Sequence, residues 1–275
     1  MSDTQPQRRN SLGIRLNRAL YRFAKNWHRF VIGFLSLLVA GVFAAPILMN
    51  LGLTGPATVL YTIYAPLCHQ FGFRSIFIGG DQVFYPREDA HSGLKPYEDY
   101  VLNDPEFAED YAYWYEFSYR QPLERGLVAE DVETFTLPLQ LASKAFPGNE
   151  QMGYKSAVCQ RDVAIYTGML VFMIVYTLPF VRPRLRPLPF LLFVVMGIGP
   201  IGIDGFSQLL SYPPFEWLPI RETLPGFRLA TGFLFGFMGG WLAFPLLELN
   251  MRDIRRQVVR KFQKAGIPLE ASRER

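Results

Sequence analysis

Residues 31–51 read VIGFLSLLVAGVFAAPILMNL, and the uncharged run continues past them. No Asp, Glu, Lys or Arg occurs from Val31 to Phe73. About 20 consecutive apolar residues suffice to cross a bilayer as a helix, and soluble core helices rarely run so long without charge. The stretch predicts a transmembrane helix. A long basic segment precedes it and the apolar run exceeds a signal-peptide core, so it reads as an uncleaved span despite the small residues Ala44 and Ala45. Three further stretches have similar length: Val163–Val181, Leu188–Leu210 and Leu229–Leu249, the last with Glu248 near its end. Half of the 275 residues are hydrophobic, yet the mean hydropathy is only slightly positive. That combination is an average over apolar spans and polar connecting segments.

Lys and Arg near the span ends set orientation. Before the first span stand Arg8, Arg9, Arg15, Arg18, Arg22, Lys25 and Arg29 against Asp3 alone. RPRLRP at 182–187 separates the second and third spans, and Arg252, Arg255, Arg256, Arg260, Lys261 and Lys264 follow the fourth. Four crossings put all three groups in the cytoplasm, with both termini, in the plasma membrane. Residues 52–161 and the short connection 211–227 then face outward. The long outer segment is acidic, with 15 Asp or Glu against 7 Lys or Arg between Phe73 and Val158. The net charge of +4 therefore describes juxtamembrane cations suited to anionic headgroups. They flank spans without a base-stacking pattern, so no nucleic-acid partner is expected.

The expected fold class is all-α: a multi-pass transmembrane bundle of about four spans, with a re-entrant or interfacial helix and an outward-facing inserted cap. Residues 1–30 form a basic anchor. Within it GIRLNRALYRFAKNWHRF, residues 13–30, reads as an amphipathic helix in the inner interface, with Leu16, Ala19, Leu20, Phe23 and Trp27 at helical spacing. Residues 31–84 hold the first span and an outer half-helix over 54–71. That half-helix is too short and too broken by Gly55, Pro56 and Pro66 to cross. Residues 85–156 form the acidic, aromatic insertion, with a helix starting at Pro105 and capped by Asp104. Residues 157–250 make a three-span bundle and 251–275 a basic tail. Gly197, Gly199, Pro200, Gly202 and Gly205 predict a kinked, closely packed third span. Gly232, Gly236 and Gly240 form one smooth face for helix packing. That face and the aromatic segment 97–119 are the expected contacts for membrane-protein partners, beside the lipid bilayer itself.

The topology gathers the unusual polar residues at one level on one side. Cys68 and His69 follow the half-helix. Cys159, Arg161 and Asp162 begin the second span. Asp204 and Gln208 end the third, and Arg228 and Thr231 begin the fourth. Ionisable residues at membrane depth are functional candidates by default. Cys159 and Asp162, three apart, share a helix face. With Cys68 and His69 they offer the ligand types of a tetrahedral zinc site. Three ligands with an open position would suit water activation, with Asp204 as base, Gln208 beside it, and Arg161 or Arg228 steadying an anion. A second reading stands beside this one. Two outward cysteines in an oxidising compartment favour a disulfide, and Asp162 and Asp204 would pair with Arg161, Arg74 or Arg228. No Walker loop, nucleotide-binding glycine fingerprint, GxSxG or HExxH occurs.

CHQFGFRS at 68–75, DQ at 81–82, VCQRDVAIYTG at 158–168, IDGFSQ at 203–208 and RLATG at 228–232 together resemble one family. It is a family of predicted small membrane proteins known as domain of unknown function 2085. The resemblance covers about residues 58–85 and 157–240, and its blocks read CHQ followed by Arg-Ser, V-C-x-R-[CD]-x-x-I-Y-x-G, DG-x-x-Q and R-x-x-TG. It implies a membrane bundle with a shared polar site and no assigned activity. Relatives carry Cys where Asp162 stands, and an alternation of Cys and Asp favours a metal over a disulfide. The insertion at 85–156 is unusual for the family. Two functions remain open: an accessory or structural subunit of a membrane assembly, or a zinc-dependent hydrolase acting at the outer lipid interface. A transporter is the weaker third, because four spans make a small pathway.

Overall fold

The computed structural model describes residues 11–269. Arg8, Arg9 and Asp3 of the basic anchor, and the end of the basic tail beyond 269, lie outside the described residues. The first helix, α1, runs from Ser11 to Asn50 as 40 unbroken residues, about 60 Å at 1.5 Å per residue. The basic stretch expected in the interface is therefore the first part of α1 and continues directly into the span. Nothing in residues 13–30 breaks a helix, and an apolar side for packing is supplied from within the chain: Ala24 and Trp27 are buried, with Trp27 against Phe244.

A turn with Gly52 at φ +74° sends the chain into α2 (Thr54–Tyr64). Its 11 residues reach about 16 Å, too short to cross. α2 folds back along α1: Ala57 is buried, and the Tyr64 hydroxyl donates to the Leu38 carbonyl at 2.7 Å.

Residues 71–156 make a compact cap with an aromatic core that includes Phe71, Phe73, Tyr85, Tyr97, Phe107 and Phe146. Its helices are α3 (Tyr97–Val101), α4 (Pro105–Tyr119), α5 (Ala129–Glu133) and α6 (Leu137–Ala145). The cap departs from an all-α fold. β1 (Phe77–Gly79), β2 (Gly148–Asn149) and β3 (Gly153–Lys155) form an antiparallel sheet in the order β1-β3-β2, with Phe77 opposite Lys155. These strands of two or three residues are too short to leave a period-2 signature in the sequence. Within the expected partner segment 97–119, Tyr97, Tyr100, Phe107 and Tyr111 serve this core, while Tyr113, Phe117 and Tyr119 are exposed. Lys155 is buried in the same unit. Its Nζ donates to the Ser143 and Lys144 carbonyls, both at 2.8 Å, and burial pushes its ammonium down to about 7.

α4 begins as its sequence indicates. Asp104 accepts a hydrogen bond from the Phe107 amide at 2.8 Å, with Pro105 in the first turn. The other Asp104 oxygen accepts from Asn149 Nδ2 at 2.7 Å, which ties α4 to β2. Asp104→Ala is expected to lower stability by about 1–2 kcal/mol, the usual worth of a cap. Thermal unfolding in detergent reads it, and an unchanged midpoint would count against the cap.

The bundle comprises α1, α7 (Gln160–Tyr176), the helix Phe190–Leu209 and α10 (Pro225–Lys264). The helix Phe190–Leu209 is built from α8 (Phe190–Phe193), a π-turn over Val194–Ile198 and α9 (Gly199–Leu209). The wide turn sits just before Pro200, whose missing N–H interrupts an α-helical ladder. Three helices among the described residues are long and apolar enough to cross a membrane: α1, Phe190–Leu209 and α10. The expected second span, Val163–Val181, differs. Its helix stops at Tyr176 after 17 residues, about 25 Å, because Pro179, Pro183 and Pro187 turn the chain out of helix. α7 still runs from one end of the bundle to the other, parallel to α10.

The Gly232, Gly236 and Gly240 face is occupied within the chain. A Cβ on Gly232 would meet the Arg161 carbonyl, one on Gly236 the Ile165 carbonyl, and one on Gly240 the Phe172 ring. The expectation that this face serves a partner protein is corrected: it holds α7 at backbone distance. Gly168 on α7 faces the Phe233 carbonyl in return.

Candidate functional site

At one end of the bundle the cap, α7, α9 and α10 meet in a polar layer. Cys159 is the N-cap of α7, and Asp162 lies in the first turn. Cys68 follows the turn that closes α2. Gln70, with φ +58°, fixes this connection: its Nε2 donates to the Tyr61 carbonyl at 2.9 Å and the Ala157 carbonyl at 2.7 Å. The result brings Cys68 Sγ, Cys159 Sγ and a carboxylate oxygen of Asp162 within 4.8 Å of one another. Both thiols are free. Cys68 Sγ accepts hydrogen bonds from the Cys159 amide at 3.1 Å and the Gln70 amide at 3.4 Å. Backbone donors of this kind favour charge on sulfur. Two sulfurs and a carboxylate packed together do not all ionise without a counter-charge. The contact with Cys159 and burial accordingly push the Cys68 thiol up. His69 stands outside this group. It is exposed, with its ring 5.3 Å from that of Phe71.

The four other candidates do converge, in a hydrogen-bonded layer beside the thiols. Asp204, buried in α9, accepts from Arg161, from Arg221 at 3.2 Å and from the Thr223 hydroxyl at 2.8 Å. Gln208 Oε1 accepts from Arg228 at 3.1 Å. The Asp204–Arg161 pair is one that the sequence indicates. Arg74 and Arg228 instead share an acid that sequence reasoning missed, Glu222. Its side chain is 1% exposed, and it accepts from Arg74 through two nitrogens at 3.0 and 3.1 Å, from Arg228, and from the Tyr212 hydroxyl at 2.7 Å. Burial alone would raise the Glu222 carboxyl, but Arg74 and Arg228 outweigh it and hold it at about 2. Arg74 also packs over the Phe71, Phe73 and Phe135 rings. It is thus one link from cap to bundle, beside Gln160 Nε2, which donates to the Ser75 carbonyl at 2.9 Å. The available signal for Glu222 was an acid between basic residues in RETLPGFR, 221–228, next to a span start.

Two buried nitrogens of the layer, Gln208 Nε2 and Arg161 Nε, have no protein partner among the described residues. The opposite end of the bundle has its own polar node. Glu248 accepts from Trp27 Nε1 at 2.8 Å, Arg182 at 2.6 Å, Arg252 at 3.0 Å and Arg255 at 2.9 Å. It ties α1, the 182–187 connection and α10 together.

Residues 151–242 match the family described as predicted membrane protein, DUF2085. DUF2085 thus takes in the blocks at 158–168, 203–208 and 228–232, while the Cys68 block lies outside the matched residues. The chain is also 34% identical over 96 residues to an uncharacterised protein of Methanocaldococcus jannaschii. That alignment covers 34% of this chain and 54% of the relative, so the chain spans about half the length of the curated relative it matches. No solved structure matches. The DUF2085 match over residues 151–242 and the three apolar helices fit a membrane protein.

Proposed function

We propose that this protein is an accessory or structural subunit of a membrane assembly, in which Cys68, Cys159 and Asp162 hold a zinc ion that fastens the cap to the bundle. One observation carries the reading. Three ligand atoms from segments 91 residues apart lie within 4.8 Å of each other, with backbone amides already directed at one sulfur. Zinc binds thiolate and carboxylate at about 2.0–2.3 Å in tetrahedral geometry, and ligands so spaced close on it with small movements. Its charge would offset the anions that crowd the site. Three ligands leave a fourth position for water or for the neighbouring His69. In the proposed arrangement α7 is a fourth, short crossing in the plasma membrane. The termini are cytoplasmic and the cap faces outward, a placement supported by the cations at 182–187 and after Leu249.

A second reading, a zinc-dependent hydrolase at the outer interface, is favoured by the unpartnered nitrogens of Gln208 and Arg161, which suit a ligand oxygen. Against it, both oxygens of the intended base Asp204 are engaged by Arg161, Arg221 and Thr223.

Elemental analysis of protein purified without chelator or polyhistidine tag is the test. About one zinc per chain is expected, lost in Cys159→Ala, with two titratable thiols appearing when the metal is stripped. Protein without metal and without titratable thiols would replace the zinc site by a Cys68–Cys159 disulfide. Turnover of a lipid substrate lost in Asp204→Asn, with the fold retained, would replace the subunit by the enzyme.

A further inference from the structure

The amino-terminal part of α1 and the carboxy-terminal part of α10 lie side by side beyond the apolar spans. Val258 and Phe262 are buried, Arg18 packs over the Phe262 ring and donates to the Pro268 carbonyl at 2.9 Å, and Trp27 reaches Glu248. Between the two helices runs a groove of about 500 Å³. Lys25 of α1 lines one wall, and Arg252, Arg255, Arg256 and Arg260 of α10 line the other, with the Tyr21 ring between them. Among the described residues no carboxylate lines it. A second groove, sharing Tyr21 and Lys25, continues along α1 past Arg18, Arg22 and Arg29.

Cations packed together repel one another, and the acids nearby do not neutralise them. Glu248 takes one nitrogen each from Arg252 and Arg255, and Asp253 pairs with Arg256. Among the described residues Lys25 and Arg260 form no ion pair, and the buried Arg18 Nε has no hydrogen-bond partner. Topology requires only that cations flank the spans. It does not require two helices more than 200 residues apart in sequence to bring them to one cleft.

We infer that this groove binds the phosphate-bearing headgroup of an anionic membrane lipid. Lys25 stands six residues before Val31, about 9 Å along the helix from the start of the apolar span. The headgroup layer extends about 5–7 Å beyond the hydrocarbon on each side; Arg252, three residues or about 4.5 Å past Leu249, lies within it, and Lys25 lies just past it on a flexible stem that reaches back toward the phosphates. Arg forks match phosphate oxygens through paired hydrogen bonds, and Lys25 adds a point charge. Assignment of the lipid to the inner leaflet rests on the proposed orientation of the termini; binding itself does not.

Native mass spectrometry of the full chain, released from micelles doped with phosphatidylglycerol or with phosphatidylcholine, tests the inference. The wild type is expected to retain phosphatidylglycerol in preference to phosphatidylcholine. Lys25→Ala/Arg260→Ala should weaken retention roughly 30-fold, from the loss of two charges near the surface. Arg15→Ala/Lys264→Ala removes the same charge outside the groove and should retain the lipid. Equal losses in the two double variants would overturn the site in favour of diffuse attraction. Equal retention of phosphatidylcholine, or displacement of the lipid by inorganic pyrophosphate that binds the groove in lipid-free protein, would overturn the lipid assignment. Both variants change exposed side chains, and unchanged melting shows that each is folded. Protease access to the C-terminal tail in inside-out vesicles reads orientation separately, so its failure leaves the binding result intact.

Discussion

Glu222→Ala is expected to destabilise the protein by about 3–5 kcal/mol, the cost of removing one partner from a buried ion pair. Among the described residues Glu222 is the carboxylate that pairs with both Arg74 and Arg228, and its side chain is 1% exposed. Without it two guanidiniums remain in a buried layer, and the Tyr212 hydroxyl loses its acceptor. At the usual size dependence this lowers the midpoint of thermal unfolding by roughly 10 °C. The disturbance should centre on the cap–bundle junction, since Arg74 bridges the cap rings and Glu222 there. Glu222→Gln keeps the shape and removes the charge, so it separates electrostatics from packing.

The same residue sets a pH dependence. Its folded value, about 2, lies below the ordinary 4.5. A carboxyl depressed in the fold adds stability that is present above about pH 4.5 and is lost as pH falls toward 2. Melting curves of the wild type should fall across this window, and those of Glu222→Gln should be flatter there. If Glu222→Gln melts like the wild type at pH 7, the node does not carry the stability assigned to it.

Gly236→Val should separate α7 from α10. A Cβ at Gly236 overlaps the Ile165 carbonyl and crowds the Ile165 Cα. Those are backbone atoms, which cannot swing aside as a flexible side chain does. Overpacking of this kind costs about 1–3 kcal/mol and sometimes more. Here it acts at the centre of the contact that positions Cys159 and Asp162. A lower melting temperature and, under the proposed function, a loss of bound zinc are expected together. Gly226, on the same helix, provides the control, because a Cβ there meets nothing within 4 Å. Gly226→Ala should leave stability unchanged or slightly raised, through the smaller entropy of the unfolded chain. Equal behaviour of the two variants would remove the glycine face from the account of this fold.

The sequence alone determined the apolar helices and the level at which the polar residues collect. Long uncharged runs and flanking Arg and Lys are local, one-dimensional signals of a solvent that rejects charge. The cap of α4 at Asp104 was legible for the same reason, since its hydrogen bond spans three residues. What the glycines of α10 pack against was decided only in three dimensions. So were the choice of Glu222 as the acid shared by Arg74 and Arg228, and the separation of His69 from Cys68, Cys159 and Asp162. Composition states that a buried charge needs a partner, but the choice among several Asp and Glu depends on where loop 211–224 folds. α7 shows both sides of this division. Its apolar pattern was visible, but its length was set by where Pro179 and the prolines after it turn the chain. Its place between α1 and α10 was set by glycines some 70 residues further along, because only close backbone packing holds a helix that short in the bundle.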